Sequence, residues 1–484
     1  MLSERRRCAW PQDLGKGTAY GLLAARVSAL QVIGDGVAEG NLSRWRAVAG
    51  LDFHVLTTLL FRGWTVIAGA ATVLVIPTWL SPTEQGYYYT FASVLALQIF
   101  FELGLSQVVV QLVSHEVAHL TPTADGGLAG DEARLGRLAS LARLLRHWYL
   151  VAAALFALAG GAGGALFFAS KGEIPMSQWS GVWVVLVGWT AMNLSYSPAL
   201  AMLEGCGQVG EVARMRLLQS VLGYAVLWAV LFSGGGLWAA TAGTAASALT
   251  TGYWLRKHGS LMRWLARRPF QSADRIAWRA DVLPLQWRIA VSWISGYFIL
   301  HLVTPMVFAH RGAVEAGQLG IAITVFAAVS TVGMSWVNAK APTFTMHISR
   351  SERQTLNALF RGVLFRSVAF TAILSLLVLC AASVLGAYRV GVMQRIVGLD
   401  VLAWLATACV ANSAIFAAAT YMRAHREEPM LPVSVVAGIA TAAAAYFGSK
   451  IGILEMVMRC TAVVVFLTLP WTLWLFMQYY RRPA

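Results

Sequence analysis

The sequence predicts an all-α polytopic membrane protein, with about twelve transmembrane helices arranged as two six-helix bundles in a parallel repeat around a central cavity. Three observations carry this. Apolar stretches long enough to cross a bilayer recur from about Leu56 to the C-terminus. The segments between them alternate, one basic and the next nearly free of Lys and Arg. Of 484 residues, 58% are hydrophobic and only 12% are charged. A water-soluble chain needs roughly 25% charged residues to cover its surface, so much of this surface faces lipid.

Read by length and apolarity, the spans cover 54–80, 86–113, 147–169, 180–204, 213–233, 236–255, 286–309, 317–338, 363–385, 398–420, 430–448 and 455–478. Charge tests the assignment. Arg134, Arg137, Arg143 and Arg146 follow the second span, and Arg214 and Arg216 the fourth. Arg256, Lys257, Arg263, Arg267, Arg268, Arg275 and Arg279 follow the sixth, and Lys340, Arg350, Arg353 and Arg361 the eighth. Arg423 and Arg426 follow the tenth, and Arg481 and Arg482 the twelfth. The opposite side carries Lys171, Arg311, Arg389, Arg395 and Lys450. A single missed or false helix would scramble this alternation. Because cationic loops stay in the cytoplasm, both termini are expected there. The net charge of +15 belongs to the same asymmetry and to anionic headgroups, with no nucleic acid implied.

The chain divides into a basic cytoplasmic tail (1–53), a first six-helix lobe (54–255), a basic cytoplasmic segment (256–285) and a second lobe (286–484). The tail has an apolar patch at 18–33, but Arg26 interrupts it and no signal-peptide core is formed. The two lobes begin alike. The first span carries Arg62 and Pro77 before a turn reaching Gly86; the seventh carries Arg288 and Pro305 before Gly317 and Gly320. An even number of spans separates them, so the repeat is parallel. The five cysteines, Cys8, Cys206, Cys380, Cys409 and Cys460, are odd in number and form no CxxC. They read as packing residues, not as a disulfide framework or metal ribbon.

His115-Glu116-Val117-Ala118-His119 matches the HExxH of zinc hydrolases, in which two His share one helix face and the Glu activates water. It lies at the end of the second span, and the nearest third-ligand candidate, Leu399-Asp400, is followed by Val401. It reads as a polar helix end at headgroup level, with no metal. Ionisable residues inside spans are costly and point to function. Arg62 lies about 12 Å into the first span at 1.5 Å per residue, too deep for easy snorkelling. Arg288 sits nearer the inner end of the seventh. Glu102, in the second span, is placed to pair with Arg62, and His301 to carry a proton or to sit satisfied in the interior. Asn193 and Asn412, in the fourth and tenth spans, suit a polar cavity or interhelical hydrogen bonds. Gly160, Gly161, Gly163 and Gly164 suit close packing or a hinge. There is no P-loop, no credible nucleophile elbow and no large extramembrane domain. No cofactor is expected.

Several segments together resemble the polysaccharide-export flippases of the multidrug/oligosaccharidyl-lipid/polysaccharide exporter superfamily. They are Leu60-Phe61-Arg62-Gly63 through Pro77, Ser81-Pro82-Thr83-Glu84-Gln85-Gly86-Tyr87-Tyr88, Phe101-Glu102-Leu103-Gly104-Leu105, and Leu203-Glu204-Gly205-Cys206-Gly207. Gln286-Trp287-Arg288 to Pro305, Ala316-Gly317-Gln318-Leu319-Gly320, Trp336 with Lys340 and Pro342, and Tyr421-Met422-Arg423 to Pro429 continue the likeness in order over about 430 residues. The resemblance implies two six-helix bundles forming a V, and the flipping of an undecaprenyl-pyrophosphate-linked oligosaccharide across the bacterial inner membrane. It also implies cavity arginines toward the pyrophosphate, carried here by position onto Arg62 and Arg288.

The expected activity is therefore non-enzymatic export of a lipid-linked sugar for O-antigen, capsule or exopolysaccharide. The expected partners are that substrate, membrane lipid, and polysaccharide polymerase and chain-length proteins. A pyrophosphate with about two negative charges cannot cross hydrocarbon unaided, and guanidinium groups match its oxygens bidentately. Two alternatives stand beside this: a cation-coupled multidrug exporter of the same superfamily, and a membrane enzyme such as a polysaccharide polymerase or zinc protease.

Overall fold

The computed structural model describes residues 53–123, 127–271, 274–388, 391–425 and 428–481. Residues Thr57–Ala484 form one compact unit. Of the other unit, Met1–Leu56, only the first turn of a helix lies among the described residues, so the expected tail falls outside them.

The described chain is nearly all helix. Six helices make the first bundle: α1 (Phe53–Trp79), α2 (Pro82–Glu102 continued by Leu105–Val117), α3 (Glu132–Lys171), α4 (Met176–Gly205), α5 (Val209–Phe232) and α6 (Trp238–His258). Six make the second: α7 (Gln286–Arg311), α8 (Ala313–Ser349), α9 (Arg353–Ala387), α10 (Leu399–Arg423), α11 (Leu431–Ser449) and α12 (Ile453–Arg481). Each predicted span falls on one of these helices. Ten are apolar enough to cross a membrane by composition alone, counting the bent α2 as one. α4 and α6 complete the twelve, their hydropathy diluted by Trp, Ser, Gly and Thr.

The helices outrun the predicted spans on the arginine-rich side. Arg134, Arg137, Arg143 and Arg146 were expected on a loop, but they ride the first turns of α3, which starts at Glu132 under an Asp131 cap. Hydropathy marks where lipid stops, while an amphipathic helix continues into water. Between α2 and α3 the chain forms a short hairpin, β1 (Leu120–Pro122) antiparallel to β2 (Leu128–Gly130).

Local sequence explains the breaks. α2 opens on a capping box: Ser81 accepts from the Glu84 N–H at 3.2 Å, Glu84 accepts from the Ser81 N–H at 2.9 Å, and Pro82 fills the first turn. It bends by 43° at Leu103 and Gly104, both left-handed (φ 52° and 65°). α3 carries a π-turn at Phe156–Gly160. Of Gly160, Gly161, Gly163 and Gly164, Gly164 is the one packed closely on α4, where a β-carbon would overlap the Trp183 ring, while Gly163 faces open space; the Trp183 indole donates to the Gly161 carbonyl at 3.0 Å. α12 has a second π-turn, Val463–Thr468, just before Pro470, whose missing N–H frees a carbonyl upstream.

Tyr87, Phe91, Phe168, Trp183 and Phe308 form a buried aromatic cluster that joins the bundles, with Tyr87 edge-on to Phe308 at 5.0 Å. The bundles meet where the first half of α2 lies along α8. A β-carbon on Gly86 would overlap the Ala313 carbonyl; one on Gly317 would fall 2.7 Å from the Gly86 nitrogen. One on Gly320 would fall 2.5 Å from the Tyr89 β-carbon. Of the glycines that matched between the two lobes in sequence, Gly86 and Gly317 thus touch each other, while Gly320 meets Tyr89.

Candidate substrate cavities

A cavity of about 540 Å³ opens inside the first bundle, among α1, α2, α4, α5 and α6. Its polar wall is built by α5 and α6. Arg216, Gln219, Ser220, Gly223 and Tyr224 recur on one face of α5 at helical spacing, opposite Thr244 and Ser247 of α6. Asn193 of α4 adds an amide, while Phe61, Tyr88 and Phe91 supply aromatic surface. Gly223 and Gly243 bring the backbones of α5 and α6 together. Arg216 pairs with Glu204 at 2.7 Å. In sequence Arg216 counts only toward the basic loop, but the structure sets it on α5, lining the cavity. The stripe on α5 was the available signal, hidden because one arginine near a helix end satisfies the topology rule on its own.

A smaller cavity of about 180 Å³ lies in the second bundle, among α7, α8, α10, α11 and α12, the positional counterparts of the helices around the first. Its lining is more apolar, with Ser330, Asn412, Thr441 and Thr461 as polar groups. Asn193 and Asn412, each on the fourth helix of its bundle, therefore line matching cavities.

The remaining predicted residues are not brought together in either cavity. Arg62 is exposed on α1, directly after the cavity residue Phe61, and forms no ion pair among the described residues. Arg288 is exposed near the start of α7, its guanidinium 5.5 Å from the Trp287 ring centre. The expected pair of Arg62 with Glu102 is not formed. Glu102 instead accepts from the Ser106 hydroxyl at 2.5 Å, and Ser106 reaches Tyr149 of α3 at 3.1 Å. The 43° bend just after Glu102 lets Ser106, one turn on, face back to the carboxylate. His301 sits at a break within α7, stacked on Tyr297 at 6.0 Å. In the HExxH segment, Glu116 is held by Arg134 at 3.3 Å and Arg137 at 3.0 Å, so its carboxylate braces the basic turns of α3.

On the arginine-poor side the bundles are tied by polar contacts. The Tyr87 hydroxyl accepts from the Glu173 N–H at 3.0 Å, and the Glu173 carboxylate accepts from the Ala313 N–H at 3.1 Å. The Gln85 amide donates to the Arg395 carbonyl at 3.1 Å.

This architecture is that of a multi-pass membrane protein. No family model and no curated protein matches the sequence. Among solved structures the chain is similar to an inward-facing multidrug resistance MATE family transporter of the MOP superfamily, with TM-score 0.58, 12% identity, and 88% of this chain and 96% of that one covered. It is also similar to the lipid II flippase MurJ in an inward closed conformation, with TM-score 0.60, 11% identity, and coverage of 88% and 87%. A MOP superfamily transporter from Pyrococcus furiosus gives TM-score 0.52 at 12% identity, over 90% and 98%. The chain has the fold of the MOP superfamily transporters.

Proposed function

We propose that the protein is a flippase that moves an undecaprenyl-pyrophosphate-linked oligosaccharide across the bacterial inner membrane by alternating access, with its arginine-rich side and both termini in the cytoplasm. The observation that carries this reading is electrostatic: among the described residues no Asp or Glu lines either cavity, and the one charged lining residue is Arg216. A site built for cationic drugs needs a carboxylate to replace the hydration of its substrate, whereas an anionic headgroup needs donors and cations. Arg62 and Arg288, exposed on the opening helices of the two bundles, would take the pyrophosphate. The amides and hydroxyls of the first cavity, with Tyr88 and Tyr224, would take sugar. The lipid tail would stay in the bilayer, and surface polysaccharide synthesis would consume the product.

A multidrug exporter is the second reading, favoured by the aromatic wall of Phe61, Tyr88, Phe91 and Tyr224 and by the pairing of Arg216 with Glu204. Deleting the chain in its host separates the two. Undecaprenyl-linked units stranded on the cytoplasmic leaflet, with surface polymer lost, support the flippase. Intact polymer with new sensitivity to cationic drugs supports the exporter. Units that reach the outer leaflet unpolymerised would indicate an enzyme.

A further inference from the structure

On the arginine-poor side, the segment that joins α9 to α10 straddles the seam between the bundles. Its short turn, Gly391–Arg395, is held from both sides by side-chain amides. Gln85 of α2 donates to the Arg395 carbonyl at 3.1 Å, and Gln318 of α8 donates to the Gln394 carbonyl at 2.9 Å. Ile396 then packs on an apolar cluster that includes Val73 and Ile76 of α1, Leu227 and Leu231 of α5, and Tyr89 of α2. Arg395 is thereby carried from the second bundle onto the wall of the first.

The polar groups gathered there are not satisfied. One guanidinium nitrogen of Arg395, Nη1, is buried with no hydrogen-bond partner among the described residues, and so are the Gln85 amide oxygen and the Tyr89 hydroxyl. Gln85 is 1% exposed and Tyr89 7%, and the two stand one turn apart on the same face of α2. No carboxylate pairs with Arg395 among the described residues. A buried donor without an acceptor costs its desolvation, and a buried cation without a counter-charge costs more. Native interiors rarely leave such groups bare, so three beside one seam need a cause. The set is one cationic fork, one hydroxyl donor and one amide acceptor. A glycosyl phosphate complements it: the fork and the phenol suit phosphoryl oxygens, and the amide oxygen suits a sugar hydroxyl.

We propose that Arg395, with Tyr89 and Gln85, forms an anion-binding site on the exit side of the seam, which receives the phosphoryl headgroup of a lipid-linked sugar as the bundles part. The proposal rests on the flippase reading and extends it. Arg62 and Arg288 stand on the opening helices of the bundles, and Arg395 stands on the arginine-poor side. A headgroup that leaves the first pair therefore meets a further cation before it meets open water. With the bundles together, Gly86 lies against Ala313 and the seam has no room for the headgroup. The three groups then stay unpaired. With the bundles parted, the same groups take the anion, and its preference for that state draws the equilibrium toward it.

The probe is geranyl pyrophosphate, a short soluble carrier of the same headgroup. Spin labels at Lys171→Cys and Lys450→Cys, both exposed and on different bundles, report the separation of the bundles in the purified full chain whose native cysteines have been replaced. Titrated probe should lengthen that distance. Arg395→Met should raise the half-maximal concentration by about ten-fold or more, the loss expected for a hydrogen bond to a charged group. Arg395→Lys should raise it less, because it keeps the charge and loses only the fork. Tyr89→Phe, which keeps the ring and removes the hydroxyl, should raise it by about five-fold. Arg395→Met takes an unpaired charge out of the seam, so helicity should hold and the resting distance should stay short. A half-maximal concentration unchanged by Arg395→Met would overturn the proposal, whether or not the resting distance moves, and would leave Arg395 a structural residue. Inorganic pyrophosphate acting at the same concentration would assign the site to a free phosphate anion and overturn the exit role. A probe response abolished by Arg395→Met, in a host whose lipid-linked sugars survive deletion of the chain unchanged, would keep the headgroup site and discard the sugar-flippase reading.

Discussion

Gly86 of α2 and Ala313 of α8 meet so closely that a β-carbon on Gly86 would overlap the Ala313 carbonyl oxygen. The obstacle is backbone, which cannot rotate away as a side-chain tip can. Gly86→Ala should therefore push the bundles apart on the arginine-poor side. Overpacking of this kind costs about 1–3 kcal/mol, about a 5- to 150-fold change in the balance between closed and open arrangements. Spin-label distances between the bundles should lengthen while helicity stays unchanged. Distances that match the parent would mean the seam is softer than its geometry.

The polar ties beside that seam predict a milder effect. Removing the Tyr87 hydroxyl strips an acceptor from the Glu173 N–H, and Glu173→Ala strips one from the Ala313 N–H. A hydrogen bond of this type contributes about 1 kcal/mol net. Tyr87→Phe and Glu173→Ala should each shift the bundle equilibrium about five-fold toward the separated state. In combination they should add less than fully, because both act through Glu173.

The helices were legible because lipid imposes a length and an apolar composition, and charge alternation checks their number. The contact of Gly86 with Gly317 is a different matter: their matching places in the two lobes marked a repeat, and only helix packing brings them together. The cavity was not legible in the same way. Its polar wall comes from Arg216, Gln219, Ser220 and Tyr224 on α5 facing Ser247 on α6, and only helix packing decides that this stripe turns inward. Glu102 shows the limit from the other side. Its depth singled it out in sequence, but the bend at Leu103 and Gly104 gave it Ser106 as partner in place of Arg62.

Cys206, just past the end of α4, gives a chemical handle outside the spans. Burial pushes its thiol up to about 12, because the thiolate loses hydration there. Below that value the folded protein keeps the thiol neutral, whereas an unfolded chain ionises it near the ordinary range. At pH 8 its alkylation should be slower than that of an exposed cysteine by about a thousand-fold in thiolate population. Mass spectrometry after timed iodoacetamide treatment reads this directly, with the detergent-unfolded protein as reference.

Arg62 and Arg288 carry the anionic-headgroup reading. Arg62→Ala and Arg288→Ala should each abolish export of lipid-linked sugar at normal protein levels. Arg62→Lys should recover only part of it, since an ammonium cannot make the bidentate contact of a guanidinium. Both residues are exposed, so the fold should tolerate the changes. Normal export by Arg62→Ala would remove that residue from the substrate path.

The cavity itself can be tested by filling it. Ser247 lies on α6 across from Gly223 of α5, where the two backbones come close at one edge of the cavity. Ser247→Phe places a ring into this cavity of about 540 Å³ at the edge where the side chain at 247 already packs on Gly223 of α5. Overpacking there costs about 1–3 kcal/mol, so thermal stability should fall modestly while the twelve helices still assemble. Transport should nevertheless fall at least ten-fold, because the ring takes volume and covers the Ser220 and Tyr224 hydroxyls that substrate would need. Measuring the bundle separation in the same variant distinguishes a blocked site from a jammed gate. An unchanged separation with lost transport assigns the cavity to substrate. Full transport through a filled cavity would instead place the substrate path between the bundles and leave Arg216 a structural partner of Glu204.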